Sequence, residues 1–445
     1  MKDSVQFINH ASVKISIEGI NILCDPWYDG SIFNYGWNLI YDNVPNYEDL
    51  LNNLDYIWIS HEHPDHFSIK FFNDNVDLIK ENNITILFQT TKDKRVINFL
   101  KKKNFKIREI SNNKKINIAK DLDIAIYKDD FYDSALLLYG SNNIIFNIND
   151  HHLDTEKEIE KFKVKFGTPT VLLTQFSYAA WRGNVDEKIL RVNAANEKID
   201  SIKKQIRILN PKFVIPFASF VYFSNVENYY MNDAYNTPNQ VLKNLNQKNT
   251  NILFFEPLEN WIIGSKNNNK KSLIFWEEQF EKIKNNKLNT YEIINKEILE
   301  ENYNKYVQKL KQKNNFLLMR ILSFFPLINA FKPFTIYLHD LNTYLTLDIF
   351  RKFNYSHTKT KFQIKMHSNS LNFIFKNEFG FDTLLVNACF ESNFNDFIVV
   401  SKTLSIGSLN AMGTYINLRA VFDYKLFIRF MIKIIKARKK FRVIS

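Results

Sequence analysis

The stretch IWISHEHPDHF, residues 57–67, sets His61, His63, Asp65 and His66 within a few positions, directly after an apolar, β-branched run. The chain has only nine histidines, so three in one short loop need a reason. On an extended or looped segment, residues i, i+2 and i+4 project the same way. His61, His63 and Asp65 therefore converge, and His66 turns toward them as the chain enters a helix. Imidazoles and carboxylates are the donors of a borderline metal such as zinc, or of iron, at about 2.0–2.2 Å. Such a centre lowers the pKa of a bound water to about 7. The competing explanation is a solvated, histidine-rich loop. Four ligand-type side chains in so short a span after an apolar strand argue against it.

The cluster sits in a segment of alternating strands and helices. VKISIE (13–18) and NILCD (21–25) flank Gly19-Ile20, a hairpin signal. After the histidines the pattern predicts a helix over 67–80, a strand over 84–88, a helix over 93–103 and a strand over 106–110. DLDIAIY, SALLLYGSNNIIFNI, PTVLLTQ, KFVIPF and NILFFEP supply further strands, and a helix over 186–209 ends before Pro211. This predicts a first domain over 1–265. KNNNKK (266–271) reads as a linker into a charged, helix-prone region over 266–330. FLLMRILSFFPLINAF (316–331), interrupted by Arg320 and Pro326, reads as a buried or interfacial helix too short to span a bilayer. Residues 331–445 read as a smaller α+β domain whose GFDTLLVNACF (380–390) resembles strands of a sterol-carrier-like fold. Its end, FDYKLFIRFMIKIIKARKKFRVIS (422–445), is a basic amphipathic helix that docks on its own domain or makes peripheral contact with an anionic membrane.

Composition narrows the setting. Two cysteines far apart, Cys24 and Cys389, exclude a disulfide framework and a cysteine-rich metal site, which suits a reducing cytoplasm. MKDSVQFINHAS has no basic region followed by an apolar run, so no secretory leader is expected. The net charge of +12 points to acidic partners, discounted for a chain rich in Asn, Lys and Ile. Nucleic acid is not expected, because the aromatics show no ordered basic interleaving.

The 57–67 segment resembles the signature of the metallo-β-lactamase superfamily. That resemblance implies an α/β fold, an αββα sandwich with the metal site at its edge, here followed by the smaller α+β C-terminal region. It implies that His61 and His63 serve one metal and Asp65 and His66 a second. FNIND (146–150) is similar to the strand that ends in a metal-bridging aspartate, which would make Asp150, with Asp65, a catalytic carboxylate. An ordinary turn aspartate is the alternative. INHASVKISIEGINILCDPW (8–27) resembles the N-terminal hairpin of the branch holding the ascorbate-6-phosphate lactonases and the N-acyl-phosphatidylethanolamine phospholipase D enzymes. By that likeness Asp25 would orient a ligand imidazole, and His10 would either contact the site or cap a strand. CDPWYDGSIFNYGWNLI (24–40), DSALLLYGSNNIIFNIND (133–150), TQFSYAAWRGN (174–184) and IPFASFVYFSNVENYYMND (215–233) together resemble the non-Rieske part of the CMP-N-acetylneuraminate hydroxylases.

The sequence departs from these patterns in three ways. It has no Cys-x-His pair to ligate a Rieske cluster. The imidazole expected before the Asp150 strand is missing, and Asp129 or Asp130 of YKDDFYDSA stands at that place. The late superfamily histidine is also absent, with Asn225 nearby, while His151 and His152 follow Asp150 directly. His152 turns inward if the strand continues and His151 if the chain turns at Asp150. A carboxylate-richer site shifts preference from zinc toward iron or manganese. Tyr178, Trp181 and Arg182 suit an acidic substrate, or simply pack on the sandwich edge, and Asn225 is a fourth candidate substrate contact. The expected function is a metal-dependent hydrolase with one or two divalent ions, zinc first and iron or manganese as alternatives. Its substrate would be small and acidic, a sugar acid or nucleotide sugar. The rivals are an iron-binding oxygenase component served by a separate Rieske or reductase protein, and a non-catalytic metal-binding partner protein.

Overall fold

Along the strand Tyr56–Ile59 the side chains alternate between two cores. Ile57 and Ile59 pack with Leu50, Phe71, Phe72 and Ile97 of the flanking helices, whereas Trp58 packs with residues of a second sheet. This period of two is what a strand buried on both faces requires. The computed structural model describes residues 2–128, 133–245, 249–325 and 330–417.

Two seven-stranded sheets form the N-terminal part. The first runs Asn260–Ile262, Ser4–Asn9, Ser12–Ile17, Ile20–Cys24, Tyr56–Ile59, Thr85–Gln89, Lys106–Ile110. From Ile20–Cys24 onward its strands are parallel, as the intervening helical crossovers demand. The second runs Asn251–Ile252, Phe213–Phe217, Val171–Gln175, Ile144–Asn149, Ser134–Tyr139, Leu122–Lys128, Lys115–Ala119. Helices Glu156–Phe166 and Lys188–Leu209 pack on it through Ile159, Phe162, Ile199 and Ile202. The long helix stops at Asn210, whose left-handed φ of 51° precedes Pro211. The result is the expected αββα sandwich.

The segment read as a linker behaves differently. Helix Lys270–Lys282 starts inside KNNNKK and lies on the sandwich. Trp276 is fully buried, stacks on Phe220 at 3.9 Å between centroids, and donates its indole N–H to the Phe255 carbonyl at 2.8 Å. One large aromatic outweighs the polar composition around it.

The C-terminal part is built on a five-stranded sheet ordered Asn354–Ser356, Thr343–Leu347, Phe334–Leu338, Ile364–Met366, Phe390–Glu391. GFDTLLVNACF, expected as strands, is instead helical over Gly380–Asn387. Phe381 and Leu384, three apart, are its buried apolar side chains. Gly380 lets it approach the helix Ser368–Lys376, since a Cβ there would lie 2.4 Å from the Ile374 Cα. In helix Phe316–Phe324, Met319 is buried while Leu317 and Phe324 are about 70% exposed. The basic segment 422–445 lies outside the described residues. Among the described residues no helix is long and apolar enough to cross a membrane.

One core cluster spans both parts, joining Trp27, Phe33, Trp37 and Trp181 to Phe381, Phe390 and Phe397. At this junction Phe33, Asn34 and Tyr35 adopt left-handed φ values of 50°, 53° and 58°. Their carbonyls accept from Asn387 Nδ2 (3.0 Å), Tyr291 Oη (2.8 Å) and Asn289 Nδ2 (3.2 Å), respectively. A Cβ at Gly36 would stand 2.4 Å from Asn387 Cβ, so the two parts meet backbone to side chain. Farther along, His339 of the C-terminal sheet pairs with Glu227 of the N-terminal part at 2.9 Å.

Replacement of Trp276 by alanine is expected to cost about 3–5 kcal/mol, read as a lower unfolding midpoint of the whole sandwich. A loss within 1 kcal/mol or so, the scale of a surface change, would show that this helix is peripheral. The Glu227 hydrogen bond, with Asp340 nearby, raises the His339 pKa above its ordinary 6.5 against the opposing effects of burial and Lys365; His367 is the other ring beside it. A raised folded-state value contributes stability that is full below the unfolded value and lost as pH rises through the folded one. The stability gap between wild type and Glu227→Gln, followed by denaturant titration, is therefore expected to be largest at acid pH and to close as pH rises. A gap independent of pH would contradict this.

Candidate metal centre

The centre forms where strand ends meet. Ile20–Cys24 and Tyr56–Ile59 are parallel neighbours, and their last residues open into Asp25 and Ser60. Ile144–Asn149 of the other sheet ends beside them and opens into Asp150. Ligand sites lie at the carboxyl ends of such parallel strands. After Ser60 the chain folds into a tight turn, in which the His66 and Phe67 amides donate to the His63 carbonyl at 3.0 and 2.7 Å. Ser68 then caps the next helix through the Phe71 amide. The turn brings His61, His63, Asp65 and His66 together, while His10 enters from the hairpin between the first two strands.

Three overlapping donor groups result, each with its ligand atoms within 4.8 Å of one another: His61, His63 and Asp133; His61, His66 and Asp150; His10, Asp65 and His66. His61 Nε2 lies 2.8 Å from His63 Nδ1, 3.9 Å from Asp133 Oδ1 and 3.8 Å from Asp150 Oδ2. His66 Nε2 lies 3.4 Å from Asp150 Oδ2 and 3.1 Å from Asp65 Oδ2, which is in turn 3.4 Å from His10 Nε2. Asp150 thus shares a group with one imidazole of each outer set.

Groups behind the donors orient them. Asp25 is buried and accepts from the Ser60 amide at 2.7 Å, with its other oxygen 3.1 Å from His66 Nδ1 and bonded to Asn149 Nδ2. With Nδ1–H given to Asp25, His66 keeps its Nε2 lone pair for the centre. Ser60 Oγ stands 3.0 Å from His61 Nδ1 and can fix that ring in the same tautomer.

The electrostatics suit a cation. Burial pushes the His66 pKa down, yet Asp65, Asp150 and Asp25 hold it well above the ordinary imidazole range. Burial and the charge of His66 push His61 well below it. Burial raises the Asp65 carboxyl, but His66 and His10 pull it far below the usual carboxylate range. Asp65 Oδ1 and His10 Nδ1 are buried and, among the described residues, have no hydrogen-bond partner. Buried polar atoms are nearly always paired, so an unpaired carboxylate oxygen among imidazoles fits a divalent ion. Asp133 and Asp150 are 16% and 21% exposed, which leaves the centre open on that side.

Asp133 joins the group of His61 and His63; Asp129 and Asp130, the residues expected there, lie outside the described residues. Asp133 was present in the quoted YKDDFYDSA, at the mouth of the strand Ser134–Tyr139, but its distance from the cluster along the chain gave no signal. His152, favoured for a continuing strand, is half-exposed and faces Asp154 at 3.4 Å. The chain turns instead, with Asn149 at φ 50° and the His151 amide bonded to the Ile148 carbonyl. His151 is then buried against Tyr127, at 4.9 Å between rings. Among the described residues neither histidine joins a donor group. Of the two roles left open for His10, contact with the site is the one its 3.4 Å approach to Asp65 fits.

The four residues considered for substrate lie at the junction with the C-terminal part. The Tyr178 hydroxyl donates to the Met231 carbonyl. The Trp181 amide donates to Leu385 O at 2.8 Å, and its ring packs on Phe390 and Phe397. Arg182 Nη1 reaches the Trp181 carbonyl at 3.4 Å. The Asn225 side chain bonds the Tyr35 carbonyl and the Glu227 amide. A residue the sequence reading missed is Phe33, whose ring meets the edge of His63 at 5.8 Å.

Asp133→Ala and His10→Ala are each expected to lower the metal content of the purified protein while the far-ultraviolet spectrum stays native. Asp25→Ala is expected to weaken metal binding by about 10–100-fold. Full metal retention in all three variants would show that these side chains do not serve the centre.

Residues 4–152 match the family model described as the beta-lactamase superfamily domain. A protein of Mycolicibacterium smegmatis named as a Rieske 2Fe-2S iron–sulfur protein is 25% identical over 251 residues, 53% of this chain and 47% of that one. The chain thus spans about half the length of this relative. A cytidine monophosphate-N-acetylneuraminic acid hydroxylase of Asterias rubens is 33% identical over 64 residues, 14% of this chain and 10% of that one. Among solved structures, the metallo hydrolase Igni18 of Ignicoccus hospitalis covers 60% of this chain and all of its own, at 16% identity and a TM-score of 0.40. The histidine cluster lies inside these matched residues, at the edge of the two-sheet sandwich, so residues 4–152 are similar to the beta-lactamase superfamily domain in sequence and fold as part of an αββα sandwich.

Proposed function

We propose that the chain is a metal-dependent enzyme with a dinuclear centre, and that it is the oxygenase component of a system whose electrons come from a Rieske-type centre outside residues 1–445. The observation that carries this reading is the donor set. Each outer group offers two imidazoles and a carboxylate, with Asp133 or Asp65 where a third imidazole would favour zinc. Two histidines and one carboxylate with open positions suit non-haem iron. His61, His63 and Asp133 would hold one ion and His10, Asp65 and His66 the other, with Asp150 shared between them. When bound, iron would supply redox chemistry with oxygen as the co-substrate.

The chain's own residues do the rest. Asp25 and Ser60 keep the ring nitrogens of His66 and His61 aimed inward. Phe33 lies over one edge of His63 and limits the approach of water there, so substrate would enter beside Asp133 and Asp150. The names of the relatives support the electron source and an acidic, nucleotide-linked sugar as substrate class. The excess of basic residues agrees with an anionic substrate. Hydrolysis is the second reading, favoured by the superfamily match and by the solvent access of Asp133 and Asp150.

Elemental analysis of protein purified without added metal, followed by turnover assays with and without oxygen, separates the two. Iron in excess of zinc is expected, with oxygen uptake when a reduced Rieske-type protein and a nucleotide-linked sugar acid are supplied. Zinc occupancy with equal turnover of an acidic ester under anoxia would establish the hydrolase instead.

A further inference from the structure

The helix Phe316–Phe324 turns an apolar stripe to solvent. Leu317, Ile321 and Phe324, spaced four and three apart, share one face of it and are 71%, 45% and 70% exposed; Phe325, which ends the helix, is 53% exposed. Met319 and Ser323 bury its other side. Single exposed apolar residues are ordinary, but four in one short stripe mark a surface that meets something. The stripe is set among cations. Between Glu301 and Asp340 the chain has no Asp or Glu, and Lys309, Lys311 and Arg320 of this stretch are exposed. Lys305 and Lys313 pair with Glu301 and Glu378, and the Lys311 ammonium stands 5.5 Å from the Phe316 ring centroid.

The end of the described chain is tied to the start of the same helix. The Asn315 amide donates to the Ile416 carbonyl at 2.8 Å, and the Ile416 amide donates to Asn314 Oδ1 at 2.9 Å. The segment 422–445, with eight Lys and Arg against one Asp, begins six residues beyond Ile416, at most about 20 Å of extended chain. Charge separates the candidate occupants of the stripe. Folded over the stripe, this segment would bring its cations to a flank that is itself cationic. A second copy would set the same cations face to face across a two-fold axis. A surface of negative headgroups instead neutralises both sets and takes the apolar side chains into the headgroup boundary. We propose that this face of the C-terminal part lies on an anionic lipid membrane, with Leu317, Ile321, Phe324 and Phe325 in the interface and the basic segment against the headgroups. The contact is peripheral, since among the described residues no helix is long and apolar enough to cross a bilayer. Apolar stripe and basic charge act together, as attachment of this kind requires.

The test is co-sedimentation of the full chain with vesicles of equal parts phosphatidylglycerol and phosphatidylcholine, beside vesicles of phosphatidylcholine alone. Binding to the anionic vesicles is expected to exceed binding to the neutral ones by about tenfold or more. It should weaken at about 1 M salt, where the screening length falls to about 3 Å. The double variant Leu317→Gln, Phe324→Gln, changed at two exposed positions, should reduce it by about tenfold or more while the far-ultraviolet spectrum stays native. The single variant Ile321→Gln, expected to weaken binding severalfold, decides the matter if the double variant does not fold. Binding that neither variant weakens would show that the basic segment acts without the stripe and would overturn the proposal. Failure to bind anionic vesicles would overturn it too. A concentration-dependent dimer that the double variant abolishes would then assign the stripe to a second copy, and a monomer would assign it to the segment 422–445.

Discussion

The Asp25 carboxylate ties the structure together. It is buried at the end of one strand, accepts from the amide at the end of the neighbouring strand, and bonds a side chain at the end of a strand in the opposite sheet. Its remaining contact is the ring of His66. Burial raises its pKa, and His66 and Ser60 only partly offset that. A buried charge is tolerated only with such full pairing, and breaking one of its partners is costly. The same bonds that join the sheets therefore set the orientation of the metal-binding ring. Fold and site share one polar anchor.

A second constraint comes from the C-terminal part. Three successive non-glycine residues at Phe33–Tyr35 are left-handed, each at a cost of about 1–2 kcal/mol. Such a turn persists only where the surroundings over-determine it. Asn387, Tyr291 and Asn289 each take one of its carbonyls, and Gly36 admits Asn387 at a distance no side chain would allow. Phe33 is thereby held against His63. The C-terminal part, whatever else it binds, helps to shape one wall of the centre.

Much of this was legible in the residues. The period-two pattern of YIWI, the Gly19 turn and the clustered histidines define strand, hairpin and donors because each depends on near neighbours. The local reading failed where one distant contact outweighed composition, as with Trp276 inside a polar helix. It failed again at 380–387, where a short apolar run fits strand or helix equally and a glycine contact with the preceding helix accompanies the helical outcome.

The sequence by itself determined that a metal-type cluster follows a buried strand and that the sandwich alternates strands and helices, since spacing along the chain dictates both. It did not determine which residues complete the donor groups. Asp133 lies 67 residues beyond His66 in the chain, and His10 lies 51 residues before His61. Only the convergence of strand ends from two sheets brings them within reach, whereas His151 and His152, although adjacent to Asp150 in sequence, are turned away by a single left-handed residue at Asn149. Adjacency in the chain constrains direction over a few residues; the meeting of distant side chains is decided by how the sheets pack.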